Sequence, residues 1–456
     1  MEVYFMKCAV VLAAGKGTRM KSSLNKVMHP VMNKPMIGHI ISSLKKSNVD
    51  RIVVVVGHGA ESVKEYLGDE VEYALQEPQL GTGHAVMQAK ALEGIEGETI
   101  ILCGDGPLIQ PETIQAAFEA NKGNACTVLT SVLEEGLHYG RIVRDAQGAV
   151  KKIVEAKDCS EEELKITEIN TGIFCFDNQK LFAGLKEIRN DNAQNEYYLT
   201  DLVEILNKKG ERVNAMIVKD RDETMGVNDR VDLANAARWL KRHINEKHMR
   251  NGVTIVDPEN TYIDVDVEIG ADTIIYPNVH IQGNSVIGSN VEILPNSFLR
   301  NAVIEDGVVI DSSKIVESKV GANATVGPMS HLRNHTEIAA NCRIGNFVEF
   351  KNSYFGEGSK CAHLTYIGDS DFGKKINVGC GVVTVNYDGK NKYRTTVKDG
   401  AFIGSNCNLI APVTIGENVL LAAGSTITDS VEDGDMGIAR MRQSIKKGFG
   451  TAYKNK

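Results

Sequence analysis

The stretch Ile263-Asp264-Val265-Asp266-Val267-Glu268-Ile269-Gly270-Ala271-Asp272-Thr273-Ile274-Ile275-Tyr276-Pro277-Asn278-Val279-His280-Ile281 returns an isoleucine every six residues, and the stride continues through Ile287, Ile293 and Leu299. A helix repeats its face about every 3.6 residues and a half-buried strand every two, so neither produces this period. The period belongs to a hexapeptide-repeat parallel β-helix, a narrow prism in which each apolar residue points inward and small residues make the corners. After a slip of one residue the stride resumes at Ile304 and Ile310, then at Val320, Val326, Leu332, Ile338, Ile344 and Phe350, and again at Val397, Ile403, Leu409, Ile415, Leu421 and Ile427. It breaks at Asn386 to Thr396, where Asn386-Tyr387-Asp388-Gly389 reads as a loop thrown out of the coil. Loops that interrupt so regular a scaffold commonly carry function.

Upstream the grammar changes. Through about residue 229, the strand-length apolar runs Arg51 to Val56, Thr99 to Cys103, Ala125 to Thr130 and Thr171 to Phe176 alternate with helix-period segments such as Pro35 to Ser47 and Pro111 to Ala120. This is α/β patterning, with parallel strands covered on both faces and ligands at their carboxyl ends. Asp229 to Arg250 reads as one helix that holds the only tryptophan, Trp239, and stops at Asn251-Gly252. The expected organisation is an α/β domain over 1–229, a helical linker over 230–251, and a β-helix domain with a basic tail over 252–456.

A chain of 456 residues with 42% hydrophobic content has room for two or three sizeable cores. Its net charge of -8 and pI near 5.8 argue against nucleic acid as the main partner, so any anion site must be local. The nine cysteines form no C-x-x-C pair, and Cys8, Cys103, Cys126 and Cys175 lie in apolar runs, where they read as reduced and buried. No apolar stretch reaches membrane-spanning length, and Met1 to Lys7 is too short and polar for a signal peptide, which points to the cytoplasm. Met6 stands as an alternative start, with the first strand opening at Lys7 or Cys8.

That first strand runs into a glycine-rich basic loop, Val10-Val11-Leu12-Ala13-Ala14-Gly15-Lys16-Gly17-Thr18-Arg19-Met20, with Lys26 beyond it. Gly15 and Gly17 let backbone N–H groups approach a phosphate, and Lys16, Arg19 and Lys26 can neutralise it. The loop is not a Walker A motif, because no Gly-Lys-Ser/Thr follows at the required spacing. Nor is it a dinucleotide fingerprint, because Met20 occupies the third glycine position. Gly104-Asp105 ends a buried strand with a carboxylate suited to a phosphate-bound Mg²⁺, although alone it reads equally as a turn or helix-cap Asp. Gln76 and the Gly81-Thr82-Gly83 turn, before a helix beginning at His84, offer groups that could read a base and its phosphates. In the β-helix, His363-Leu364-Thr365-Tyr366-Ile367-Gly368-Asp369 and Asn377-Val378-Gly379-Cys380-Gly381 precede the Asn386 loop, and His363 is a candidate general base for amine acylation. Alone, such a histidine reads first as a solvated corner residue, and it is the neighbouring motif that reverses this.

Leu12 to Met20 with Lys26, Gln79 to Ala85, Gly104-Asp105, Tyr139-Gly140-Arg141-Ile142, Glu155, Glu168 to Gly172, Asn195 to Asp201 and Gly226-Val227-Asn228 resemble the sugar-nucleotide pyrophosphorylases. Their order and spacing resemble most the bifunctional bacterial N-acetylglucosamine-1-phosphate uridyltransferase/glucosamine-1-phosphate acetyltransferases, over nearly the whole chain. The resemblance implies a Rossmann-like nucleotidyltransferase domain and a left-handed parallel β-helix. It implies synthesis of UDP-N-acetylglucosamine, a precursor of peptidoglycan and other envelope polymers, from glucosamine 1-phosphate, acetyl-CoA and UTP. Leu12, Ala13, Ala14, Gly15, Lys26, Gln76, Gly81, Thr82 and Gly104 would hold the nucleotide, and Gly140, Glu155 and Asn170 the sugar. Asp105 and Asn228 would bind Mg²⁺. In the second half Arg333 and Lys351 would grip the sugar phosphate, with Tyr366 and Asn377 orienting the sugar. Cys380, Asn386, Tyr387, Ser405, Ala423 and Arg440 would line the acetyl-CoA site, Asn386 also orienting His363. The family implies a homotrimer whose β-helix sites are completed by neighbouring subunits.

The chain departs from the family pattern in three places. Gly106 stands where Val is expected, Cys380 where Ala is usual, and His331-Leu332-Arg333-Asn334-His335 replaces Arg-Leu-Arg-Pro-Gly. Cys380 has no base placed beside it by the motif, which favours direct transfer over an acyl-enzyme. From Arg440 to Lys456 the tail carries six Lys/Arg and no acid, suited to coenzyme phosphates or simply to water. Two other readings fit the architecture: a monofunctional pyrophosphorylase with a regulatory β-helix, and a non-catalytic assembly protein. The His363 motif and Asn386 loop argue against the first, and intact Lys26, Asp105 and Asn228 against the second.

Overall fold

Alternate residues of the first strand feed two different cores. Cys8 and Val10 pack with Leu181 and Leu202, while Ala9, Val11 and Ala13 pack with Ile37, Ile40 and Ile114, so the sheet is covered by helices on both faces. Each valine, leucine or isoleucine so withdrawn from water contributes about 1.5–3 kcal/mol. The computed structural model describes residues 5–134 and 139–454; Met1 as a start and Lys456 at the end of the tail lie outside the described residues. The chain forms two compact units, Met1–Leu240 and Lys241–Lys456.

In the first unit the elements run β1 (Met6–Ala13), α1 (Met36–Lys46), β2 (Arg51–Val56), α2 (Ala60–Leu67), β3 (Glu72–Leu75), α3 (Thr82–Met87), β4 (Gly97–Cys103), α4 (Pro111–Asn121), β5 (Cys126–Val132), β6 (Arg141–Arg144), β7 (Val150–Val154), β8 (Glu168–Asp177), α5 (Asn178–Leu185), α6 (Asp201–Lys208) and β9 (Val213–Ile217). Among the described residues the sheet order is β9-β5-β8-β4-β1-β2-β3, with the β6–β7 hairpin joined to β8. β1 is parallel to β2 and β4, β2 to β3, and β5 to β9. The strand order reverses beside β1, which puts the ligand crevice at the carboxyl ends of β1 and β4. The run Thr171 to Phe176 is the exception to the expected parallel sheet, because β8 is antiparallel to both β4 and β5. Its apolar character reports burial on both faces, which a helical layer provides whatever the strand direction.

The helix expected from Asp229 forms as α7 (Arg230–Arg250), with Asp229 Oδ1 accepting from Val231 N at 2.8 Å and Asp232 N at 3.0 Å. The unit boundary falls inside it. Trp239 Nε1 donates to Asp220 Oδ2 at 3.1 Å in the first unit, and Asn245 Nδ2 donates to Pro258 O at 2.9 Å and Thr261 O at 3.1 Å in the second.

The second unit is the expected prism of parallel coils. Ile263, Ile281, Leu299, Ile315, Leu332, Phe350 and Ile367 pair in succession on one face. Ile275, Ile293, Ile310, Val326, Ile344, Cys361, Val378, Ile403 and Leu421 do so on a second. Thr384 pairs with Leu409, 25 residues on, whereas the coils on either side take 17 and 18, so the Asn386 loop is an insertion into one coil. At the corner after the second face the turning residue has positive φ. Asn278, Asn296, Gly381 and Asn406 suit that conformation, but Met329 (φ 58°), Phe347 (φ 56°) and Leu364 (φ 44°) do not. The left-handed backbone costs each about 1–2 kcal/mol, and all three are 58–60% exposed.

Candidate functional site

The first unit forms its cradle where β1 ends. Gly17 has φ 59°, and a side chain there would run into Lys26 Cβ, so the loop turns on a glycine and draws Lys26 against itself. At Gly15 an added Cβ meets nothing within 4 Å, which leaves open space beside the backbone. Gly104 N donates to Leu12 O at 2.8 Å, tying the end of β4 to the end of β1 and delivering Asp105 to the loop. Lys26 Nζ donates to Asp105 Oδ2 at 2.5 Å and to Asn228 Oδ1 at 3.0 Å, and Arg19 Nη2 reaches the same Asn228 oxygen at 2.7 Å. Val227 N, donating to Asp105 O at 2.8 Å, holds the two segments together. One carboxylate and one amide oxygen therefore converge on a cationic point, a donor set that suits a hard divalent ion keeping other positions for phosphate and water. Leu12, Ala13, Gly15, Lys26, Asp105 and Asn228 line a cavity of about 270 Å³. Ala14 and Gly104 are buried behind that lining.

An adjoining cavity of about 210 Å³ is lined by Leu12, Thr82, Gly140, Glu155, Asn170 and Thr200, among others. Gly81 (φ 107°) would clash with Tyr197 O if it carried a Cβ, Gly83 N donates to Tyr197 O at 2.8 Å, and Leu199 N donates to Thr82 Oγ1 at 3.1 Å. The segment 197–199 thus braces the Gly81-Thr82-Gly83 turn, whose helix begins at Thr82 rather than His84. Gln76 is buried, with its Nε2 donating to Gly81 O at 3.0 Å and lying 3.2 Å from His84 Nδ1. Asn170 N donates to Gly140 O at 2.8 Å, and its Oδ1 accepts from Gly172 N at 3.0 Å. Glu155 accepts from Thr200 Oγ1 at 3.2 Å, and burial pushes its carboxyl above the usual range. Burial, with Glu155 and Glu204 next, pushes the neighbouring Asp201 up to about 6. Of the four cysteines read as mostly buried, Cys8, Cys126 and Cys175 are buried, and Cys103 lines this cavity with burial pushing its thiol up to about 12. Thr200 and Asp201 belong to the Asn195 to Asp201 motif but were given no role, because nothing local to them marks a cavity lining.

The second unit distributes its candidates over two corners. His363, Cys380, Ser405 and Ala423 each lie two residues past an inward side chain of one face, so they stack coil upon coil. Gly381 N donates to His363 O at 3.3 Å, Asn406 N to Cys380 O at 2.7 Å and Gly424 N to Ser405 O at 2.8 Å. Arg440 Cδ lies 3.6 Å from the position of a Cβ on Gly424, so the series from His363 to Arg440 follows one edge of the prism. Asn377 is exposed beside it, in register with Lys360 and Phe402.

The other corner carries the cations. Arg333 pairs with Glu349 through Nε at 2.8 Å and Nη2 at 2.7 Å. Lys351 Nζ lies 3.2 Å from Asp369 Oδ2, and Asn386 Nδ2 donates to the same oxygen. Within one chain Asn386 is therefore bonded to Asp369, not to His363 as expected. Tyr366 stands half-buried next to Gly368, and Tyr387 is exposed with its hydroxyl donating to Gly389 O at 2.7 Å. Asp369 and Glu349 were missed, since only the coil lengths reveal which residues stack. Asn334 and His335 have φ 54° and 60°. A proline at 334, fixed near φ −65°, could not adopt this turn, so the corner differs from the Arg-Leu-Arg-Pro-Gly pattern in backbone as well as in side chains.

The Nucleotidyl transferase family matches residues 8–241, and the Bacterial transferase hexapeptide (six repeats) family matches 266–301 and 394–429. The bifunctional protein GlmU of Exiguobacterium sibiricum is 54% identical over 97% of this chain and 99% of its own length. The chain belongs to the bifunctional GlmU family. GlmU proteins of Listeria monocytogenes serotype 4b and of a Geobacillus species are 51% and 52% identical, each over 97% of this chain and 97% of their own. The GlmU match therefore spans both units, the cradle and the prism edge alike.

Proposed function

We propose that the chain makes UDP-N-acetylglucosamine in two steps, acetyl transfer on the β-helix and uridylyl transfer in the α/β unit. The observation that carries this reading is the presence of two separate constellations, Lys26–Asp105–Asn228 at the cradle and the edge from His363 to Arg440, in a chain matched end to end by bifunctional relatives.

In the first step the 2-amino group of glucosamine 1-phosphate attacks the thioester carbonyl of acetyl-CoA. The C–N bond forms, the C–S bond breaks, and coenzyme A leaves with a proton. His363 takes the proton from the amine, a task suited to imidazole near neutral pH. Arg333 and Lys351 hold the sugar phosphate with Tyr366 and Asn377 on the sugar, and Asn386 and Tyr387 lie against the donor. Cys380, Ser405, Ala423 and Arg440 carry the coenzyme along the prism edge. In the second step an oxygen of N-acetylglucosamine 1-phosphate attacks the α-phosphorus of UTP and pyrophosphate leaves. Leu12 to Gly15, Gln76, Gly81 and Thr82 hold the nucleotide, Gly140, Glu155 and Asn170 the sugar, and Lys26 the phosphates. Asp105 and Asn228 would hold Mg²⁺, which when bound would neutralise charge on the triphosphate.

The active form is a homotrimer working in the cytoplasm. Met329, Phe347 and Leu364 support the assembly, because three exposed apolar side chains on strained backbone gain only if a neighbouring copy covers them. Among the described residues no helix is long and apolar enough to cross a membrane. The test is two assays on one preparation. UTP with N-acetylglucosamine 1-phosphate and Mg²⁺ should yield pyrophosphate, and acetyl-CoA with glucosamine 1-phosphate should yield free coenzyme thiol. Failure of either overturns the corresponding half.

A further inference from the structure

At the cationic corner the coils stack Asn334, Asn352, Asp369 and Asn386, each two residues past an inward side chain. Asp369 breaks the run of amides with a charge, and it is 5% exposed. Its Oδ1 accepts from Asn352 Nδ2 at 2.6 Å, and its Oδ2 accepts from Lys351 Nζ at 3.2 Å and from Asn386 Nδ2. Its backbone N donates to Lys351 O at 2.9 Å, and its carbonyl accepts from Thr395 N at 3.2 Å. One residue thus grips the ammonium of the preceding coil and both ends of the inserted loop. That loop pairs Tyr387 with Lys392, and Lys392 comes against Lys351, whose charge holds its ammonium below the usual range. Burial pushes the Asp369 carboxyl up, but the bonds from Asn352, Lys351 and Asn386 outweigh it and hold it below its usual value.

A carboxylate inside a site for a phosphate opposes the ligand's charge, so its benefit must lie in arrangement. Two neighbouring lysines repel unless an anion lies between or beside them, and a buried anion is tolerated only when fully bonded, as this one is. We infer that Asp369 is a positioning residue for acetyl transfer, fixing Lys351 directly and the inserted loop through Asn386 in the arrangement that receives the sugar phosphate. The inference rests on the acetyl-transfer reading above.

The experiment compares full-length wild type with Asp369→Asn, Asp369→Glu, Asn386→Ala and the Asp369→Asn/Asn386→Ala pair in both assays. Asp369→Asn should lower kcat for acetyl transfer or raise KM for glucosamine 1-phosphate by about tenfold or more, with the UTP reaction within about twofold of wild type. Asp369→Glu should recover part of the loss, trypsin should cut faster after Lys390 and Lys392 in Asp369→Asn, and the pair should lose less than the product of the two single losses. Wild-type kcat and KM in Asp369→Asn, or losses that multiply in the pair, overturn the inference. If Asp369→Asn does not fold, Asp369→Glu decides: slower turnover with faster loop cleavage supports the role, and wild-type values of both overturn it. Absence of acetylation by the wild type would instead overturn the acetyl-transfer reading.

Discussion

The two units bring their candidate residues together in different ways. In the α/β unit, residues from far-apart segments meet at contact distance within one chain: Lys26 bridges Asp105 and Asn228 at 2.5 and 3.0 Å, at the mouth of a cradle closed by Gly104 on Leu12. In the β-helix, His363 and the Lys351–Asp369–Asn386 cluster occupy opposite ends of one face, separated by a strand of roughly 15 Å. Among the described residues no hydrogen bond joins them. A sheet with crossover helices folds its own loops into one crevice, whereas a prism displays side chains in rows and leaves the space beside them for something else to close. The first site is therefore closed within one chain, and in the trimer proposed above the second is completed by a neighbouring copy.

The variant that breaks this contrast most severely is Phe347→Asp, which puts a charge into the exposed apolar row at the His363 corner. It should dissociate the proposed trimer in sedimentation and reduce acetyl transfer by about a hundredfold or more, while pyrophosphate release stays within about twofold. Acetylation by a sedimenting monomer would place the second site within one chain after all. Arg440→Ala should be milder, raising KM for acetyl-CoA about tenfold with little change in kcat, as expected for loss of one phosphate contact. A fall in kcat at unchanged KM would place Arg440 away from the coenzyme.

The smallest effect probes the self-contained site. Asp201 titrates at about 6 in the folded chain against about 3.8 unfolded, so the folded state binds more protons between these values and stability falls as pH rises through that window. Above pH 6 the penalty is fully present; below about pH 4 it is gone. Asp201→Asn should therefore stabilise the first unit at pH 8 by about 1 kcal/mol, after discounting for partial exposure, and by nearly nothing at pH 4. Denaturation followed by Trp239 fluorescence reads this, since that tryptophan is bonded to Asp220 in the same unit. Equal gains at both pH values would mean that the carboxyl is not strained.

Much of this architecture was legible because six-residue spacing has few explanations. The stride was lost between Ile310 and Val320 and beyond Phe350, because the inward series passes through Ile315, Phe355, Cys361 and Thr384, with steps of five and residues that are not reliably apolar. The direction of β8 was illegible, since double-sided burial looks the same in either orientation. The meeting of Asp105 with Asn228 could not be read from spacing and came from family resemblance; contacts made by topology leave no local signal. Asp369 lay inside a quoted motif, but its partners emerge only when coils of 16 to 18 residues are stacked in register.

In the function proposed above, one chain carries two transfer sites that do not share residues. The direct measurement is both assays on Asp105→Ala and His363→Ala in parallel. Asp105→Ala should lose pyrophosphate release by about a thousandfold and keep acetyl transfer, and His363→Ala should lose acetyl transfer by about a hundredfold or more and keep pyrophosphate release. Loss of both activities in either variant, or survival of acetylation without His363, would contradict the account.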